Sequence, residues 1–343
     1  MQVFDGHNDA LLRLARFDGD RVVAFRDGPG HVTLANAHMG NMIGGFFAMF
    51  ALDEQFGLDF AIFDTPPYDT PLPPEMSRDV AWEKIQTQAQ IAQSLEADGA
   101  IRWARTAHDL TPLSDGALVG ILHLEGAECI GADLEGLDAL FDMGLRSIGP
   151  VWSRPTVFAH GVPFRFPSDG DTGPGLSEAG RRLVQEMKSR SMVVDTSHMT
   201  MKGFWDVAEL GVPLVATHSN AHSVCPTARN LTDDQLKAIG ETGGMAGLNF
   251  GTMFLNPQGE RNPIGALDHM IPHLAHMIKV AGEDHVGLGS DFDGAPMPYG
   301  LKHAGDLPVL VGAMRGAGFG VELIEKLCHG NWQSFLSRTL PAQ

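Results

Sequence analysis

Apolar residues along this chain gather into short, nearly continuous runs that end in polar residues. Eight runs stand out: VFDGHND (3 to 9), MIGGFFAMFAL (42 to 52), ALVGILHLEGAE (117 to 128), LRSIGPVW (145 to 152), MVVDTSH (192 to 198), PLVATHSN (213 to 220), GMAGLNF (244 to 250) and HVGLGSDFDG (285 to 294). Such runs suit strands buried on both faces of a parallel sheet. The intervening periodicity predicts helices near 79 to 99, 133 to 142, 178 to 190, 200 to 210, 232 to 240 and 264 to 281, with a further pair near 306 to 315 and 321 to 337. Thr232-Asp233-Asp234-Gln235 reads as a capping box, and Ser177 as an N-cap ahead of the Leu183, Val184 and Met187 face. Strands alternating with helices eight times predict an α/β fold, a (β/α)8 TIM barrel forming one domain over residues 1–343. Residues 53–77 and 153–176 interrupt the rhythm, each after a predicted strand. Long irregular segments within a compact domain are usually active-site loops, and in a barrel the loops at the strands' carboxyl ends build the site. Separate surface decoration is the alternative.

Composition narrows the function. Lys and Arg number 24 against 42 Asp and Glu, a formal charge of −18 that disfavours nucleic acid or an anionic membrane as partner. No apolar run is long enough to span a bilayer. Three widely spaced cysteines without a CxxC argue against a disulfide scaffold or thiolate metal site and for a reducing compartment. The first predicted strand begins at residue 3, leaving no room for a secretory signal, so a cytoplasmic location is expected.

Residues able to bind metal collect at the predicted strand ends. His7 and Asp9 close the first run, Glu125 lies in the third, His198 ends the fifth, His218 lies in the sixth and Asp291 in the eighth. Residues i and i+2 of a strand share a face, so His7 and Asp9 project together. One histidine at a strand end is more often structural than a ligand, but six such groups converging on one barrel face are a candidate site. Imidazole and carboxylate without thiolate suit zinc or a similar divalent ion, and Glu125 is a candidate bridge between two ions. Asp5 and Asp293 are read as outer supports or turn residues, while His123 either lines the barrel or joins the site. There is no phosphate loop, no GxGxxG opening a helix after a strand, and no GxSxG.

The ordered motifs DGHND, HLEGAE, DTSH, THSNA followed by RNLTDD, and GSDFDG span residues 5 to 294. Together they resemble the membrane (renal) dipeptidase family of binuclear zinc peptidases, within the amidohydrolase-type barrels, and look like a bacterial branch. The resemblance implies two Zn2+ per chain, with His7 and Asp9 on one ion, Glu125 bridging, and His198 and His218 on the other. It also implies that Asp291 handles the proton and that Arg229 grips the terminal carboxylate of a dipeptide. The family commonly carries a histidine after the fourth strand that contacts the scissile carbonyl. The ungapped reading places Trp152 there, with His160 of FAHGVPF as the candidate substitute.

The expected chemistry is attack of a metal-bridging hydroxide on the dipeptide carbonyl, with Asp291 as general base and then general acid. The family resemblance further implies tolerance of a C-terminal D-residue. Hydrolysis of a cyclic amide or lactone on the same barrel is the second reading; a one-metal deaminase and a noncatalytic metal-holding barrel rank lower. The residues do not decide between a monomer and a homodimer.

Overall fold

The computed structural model describes residues 1–53, 59–111 and 116–342. Each predicted run contains a strand: β1 (Val3–Asn8), β2 (Met42–Phe50), β3 (Leu118–Glu125), β4 (Leu145–Gly149), β5 (Val193–Val194), β6 (Val215–Ala216), β7 (Met245–Leu248) and β8 (Val286–Leu288). They pair in parallel in the order β5-β4-β3-β2-β1-β8-β7-β6. The two ends of that path meet through a parallel bridge between Asp195 and Val215, where the Thr196 amide donates to the Val215 carbonyl at 2.7 Å. The sheet therefore closes on itself, and the strands' carboxyl ends surround one mouth.

Two apolar layers hold the barrel. Phe4, Phe46, Val119, Ile121, Val193, Val215 and Met245 form one buried cluster with Trp332, Phe335 and Leu336 of the helix Asn331–Thr339. These strand residues lie towards the amino ends, so the helix plugs the barrel opposite its mouth. The Trp332 indole N–H donates to the Leu288 carbonyl at 2.9 Å; truncation to alanine here costs about 3–5 kcal/mol. A larger cluster, including Phe47, Met49, Leu122 and Leu124, packs the sheet against the surrounding helices.

The helices follow the apolar spacing closely. Arg78–Ala97, Glu178–Ser189, Met201–Glu209, Asp233–Glu241, Ala266–Ala281 and Leu307–Gly316 all form. Ser177 Oγ accepts from the Gly180 amide at 3.0 Å, and Thr232 and Gln235 form the capping box. The segment expected from 133 becomes helical only at Leu137–Met143, because Leu134 and Gly136 take left-handed backbone conformations. The last expected helix divides into Val321–Glu325, a π turn Lys326–Gly330 and Asn331–Thr339. Unanticipated are the short helices Ala10–Ala15, Arg21–Asp27, Leu34–Gly40 and Thr252–Leu255, and the strand Ile101–Trp103 beside β3.

The two long loops meet above the mouth. Residues 54–58 of the first lie outside the described residues. Farther along, Tyr68–Asp69 pairs antiparallel with Arg165–Phe166 of the second loop, and Arg165 Nε stands 2.8 Å from Asp69 Oδ1. Phe63, Tyr68 and Phe164 bury against Met253 and Phe254 in a separate apolar cluster. The loops thus pack on each other and on the barrel rather than decorating the surface separately. No described helix is long and apolar enough to cross a membrane.

Candidate active site

Six of the sequence-predicted site residues converge at the mouth. His198 Nε2 lies 3.0 Å and His218 Nε2 3.5 Å from Glu125 Oε1, and the two imidazole nitrogens are 3.0 Å apart. His7 Nε2 lies 3.8 Å from the other Glu125 oxygen and 3.5 Å from Asp9 Oδ2. Asp291 completes a second group with His7 and Asp9 whose candidate ligand atoms all lie within 4.8 Å of one another. Glu125 therefore faces both groups, one through each oxygen. A Cβ on Gly294 would come within 2.2 Å of Asp9 Oδ2 and 2.5 Å of Asp291 Oδ1, so glycine leaves these two carboxylates room.

The donor set fits a metal. Both ring nitrogens of fully buried His7 lack a hydrogen-bond partner, as does Nδ1 of His198. Buried polar groups without partners are costly, and three acidic groups crowded around imidazoles require a compensating cation. Burial, reinforced by nearby Arg229 and His7, holds His198 and His218 well below the usual histidine range, so both present lone pairs. Burial pulls His7 down, but Glu125, Asp9 and Asp291 outweigh it and carry His7 up to about 10. Burial pushes Glu125 well above, and Asp291 above, the carboxylate range. A cation is held by neutral imidazoles and ionised carboxylates, so metal binding here would be favoured as pH rises.

Outer contacts orient the candidate ligands. The Thr217 hydroxyl donates to Asp195 Oδ2 at 2.6 Å, leaving its oxygen to accept from His218 Nδ1 at 2.8 Å. That relay assigns the proton to Nδ1 and frees Nε2. Asp195 also falls within a candidate metal group with His7 and His218. Its Oδ1, however, accepts from Ser197 N, Ser197 Oγ and Thr217 N, which marks it as an orienting group. His123 is buried in the barrel, with Nδ1 2.9 Å from Ser147 Oγ and Nε2 3.5 Å from Asp195 Oδ2. Asn249 donates to Asp291 Oδ2 at 2.9 Å. Asp5 accepts from the Ser290 amide and hydroxyl, and Asp293 from the amides of His31 and Val32, so both brace the β8 turn.

The cluster opens into a cavity of about 610 Å3. Trp152, Phe164, Met253 and Phe254 line part of it, while Leu12, Phe50 and Leu52 line another. Trp152 packs on His198 with ring centroids 5.8 Å apart. Arg229 is buried: its Nη1 donates to the Ser197 carbonyl and Nη2 to the His218 carbonyl, with Nη2 3.3 Å from His198 Nε2. Among the described residues no carboxylate lies within ion-pair distance of it. Nor does it pair with Asp233, four residues on in sequence; Asp233 instead meets His276 at 2.7 Å. His160 is not brought to the cavity wall. It is partly buried in its loop, where its carbonyl accepts from the Thr200 amide.

Asp195, Thr217, Asn249 and Arg154 were missed from sequence. Asp195 and Thr217 stand inside the DTSH and THSN motifs, and that placement was the available signal. Arg154 also lines the cavity, although only about 1% of its surface is exposed.

Comparison with known proteins agrees with this geometry. The sequence model of the membrane dipeptidase family, peptidase family M19, matches residues 1–339. A crystal structure of a metallopeptidase from Rhodobacter sphaeroides, liganded with a phosphinate mimic of the dipeptide L-Ala-D-Ala, is 48% identical with a TM-score of 0.96, covering 99% of each chain. The dipeptidase PvdM from Pseudomonas aeruginosa, described as probable, shares the fold at 21% identity and a TM-score of 0.82, over 99% of this chain and 96% of its own. An uncharacterised Klebsiella pneumoniae protein in the pqqA 5′ region is 40% identical over 256 residues, covering 74% of this chain and 94% of its own. With an amidohydrolase-type barrel and metal-capable groups at its mouth, the chain belongs to the membrane dipeptidase family of metallopeptidases.

Proposed function

We propose that this metallo-dipeptidase works with two divalent ions, zinc being the best match to the donor set. His7 and Asp9 would hold one, His198 and His218 the other, with Glu125 shared between them. The observation that carries this reading is Glu125, whose two oxygens each face a separate imidazole-containing group. When bound, the ions supply Lewis-acid polarisation and lower the pKa of a water nucleophile.

The chain's own residues supply the rest. Asp291, held by Asn249, accepts the proton of the attacking water and returns it to the leaving amine. Arg229 presents its guanidinium beside His198, placing the carboxylate of the dipeptide so that its peptide carbonyl lies over Glu125. Trp152, Phe164 and Phe254 pack around the C-terminal residue and exclude water. On the ungapped reading Trp152 stands in place of the family's histidine, which its position in the cavity lining supports, while His160 lies off that lining. The phosphinate mimic of L-Ala-D-Ala in the related Rhodobacter enzyme supports acceptance of a D-residue at the C-terminal position. The three cysteines are buried free thiols, which supports work in the cytoplasm.

The test combines elemental analysis of metal-loaded protein with turnover of L-Ala-L-Ala and L-Ala-D-Ala. Two tightly held ions and hydrolysis of both dipeptides are expected. One ion per chain would remove the shared-Glu125 reading. Turnover of cyclic amides or lactones without dipeptide turnover would replace the substrate class.

A further inference from the structure

Two guanidinium groups stand on opposite sides of the mouth. Arg229 is tied to carbonyls after β5 and β6. Arg154 is tied to the ends of β2 and β3, where its Nη1 donates to the Ala51 carbonyl at 3.1 Å and to Glu128 Oε1 at 3.0 Å. Arg154 is almost wholly buried yet lines the cavity. Its Nε has no partner, and both of its hydrogen bonds to described residues come from Nη1. The result is a fixed cation whose donor capacity its pairing with Glu128 leaves unfinished. On the same side Arg16, exposed at the end of the helix Ala10–Ala15, lines both the cavity and an adjoining basic recess containing Lys302. Arg16 makes no ion pair with any described residue. The nearby carboxylate of Asp293 is already taken by Arg13 and two backbone amides.

We infer that this side of the cavity is a subsite for a carboxylate on the side chain of the substrate's N-terminal residue, making Arg154 and Arg16 specificity-determining. The inference rests on the proposed placement of the dipeptide's own carboxylate at Arg229. From there two extended residues reach about 7 Å, carrying the N-terminal residue over Glu125 towards β1, β2 and β3. Leu12, Phe50 and Leu52 line that side and pack the methylenes of a glutamyl side chain. Its carboxylate then completes the donor capacity of Arg154, whose planar fork is already positioned by Glu128, and Arg16 closes over it from the solvent side. A lysyl side chain there meets two guanidiniums, of which Arg154 is offset by Glu128, with Asp53 an acid on the same cavity lining.

The experiment compares kcat/KM for L-Glu-L-Ala and L-Gln-L-Ala, which differ only in charge and one donor group. The wild type should favour the glutamyl substrate at least tenfold. Arg16→Ala should cut the ratio several-fold, and Arg16→Glu should move the preference towards L-Lys-L-Ala. Arg154→Met combined with Glu128→Gln, which avoids leaving a buried unpaired carboxylate, should bring the glutamyl-to-glutaminyl ratio near one. If that variant fails to fold, the two Arg16 variants still carry the test. A wild-type ratio near one overturns the inference, as does a ratio that none of the folded variants changes. Loss of the preference for a free C-terminal carboxylate in the Arg154 variant also overturns it, by assigning Arg154 to that group. L-Ala-L-Ala turnover by the wild type tests the dipeptidase reading separately: its absence removes both conclusions, whereas its presence with a ratio near one removes only this one.

Discussion

Replacing Arg229 with methionine separates recognition of the substrate's carboxylate from metal chemistry. Methionine keeps a long apolar stem against Phe254, whose ring centroid lies 5.6 Å from the guanidinium carbon, and deletes the charge. The stability cost is moderated because both carbonyls that lose a donor keep another. Ser197 O also accepts from Ser219 Oγ, and His218 O from Asn249 Nδ2, each at 3.4 Å. A loss of about 1–3 kcal/mol is expected. Loss of a charged hydrogen bond to the substrate costs about 1.5–3 kcal/mol in transition-state binding, or roughly 10- to 150-fold in kcat/KM. The assay compares a dipeptide with its C-terminal amide in both proteins. Wild type should strongly favour the free acid, and the variant should lose most of that preference at unchanged metal content. An unaltered acid-to-amide ratio refutes the assignment and leaves Arg229 as a structural tie between the two loops it bonds.

Three further outcomes are expected. Asp291→Asn should keep metal binding while lowering kcat by about 10²–10⁴-fold, read by elemental analysis and steady-state kinetics; unchanged turnover removes Asp291 from proton transfer. Thr217→Val breaks the Asp195 relay to His218 and should weaken metal affinity about 10- to 100-fold in competition with a chelator, whereas equal affinity would mean the relay does not matter. His273 is buried between the Ala221 amide and the Leu255 carbonyl, and burial pushes it down to about 4. The unfolded chain takes up this proton near pH 6.5 and the folded chain only near 4. The neutral histidine's contribution is therefore complete above 6.5 and falls by about 3 kcal/mol as pH drops towards 4. Thermal melts of His273→Gln should be less sensitive over that window, and parallel wild-type and variant curves would contradict the linkage.

The barrel was legible because its strands are buried on both faces and read as uninterrupted apolar runs. The candidate ligands were legible because each lies within or at the end of such a run. The short helices after β1 were not, since six or seven residues carry too little periodicity and their burial comes from distant partners. Arg229 stood out only through the family resemblance, because sequence does not reveal that the chain folds it beneath the surface. Arg154 remained hidden for a related reason: its partners, Ala51 and Glu128, are 103 and 26 residues away. Trp152, placed by an ungapped count, lines the cavity; His160, a candidate because it shares that loop, does not, since sequence does not show which way the loop turns.

The short antiparallel pairing of Tyr68–Asp69 with Arg165–Phe166 has a consequence for inheritance and engineering. The roof of the cavity is split between two segments almost a hundred residues apart, so exchanging one without the other leaves a strand edge unpaired and Asp69 or Arg165 without its counterpart. Variation in substrate choice that passes through this roof therefore has to arrive in matched halves. A chimera intended to borrow another enzyme's selectivity must transplant both segments together.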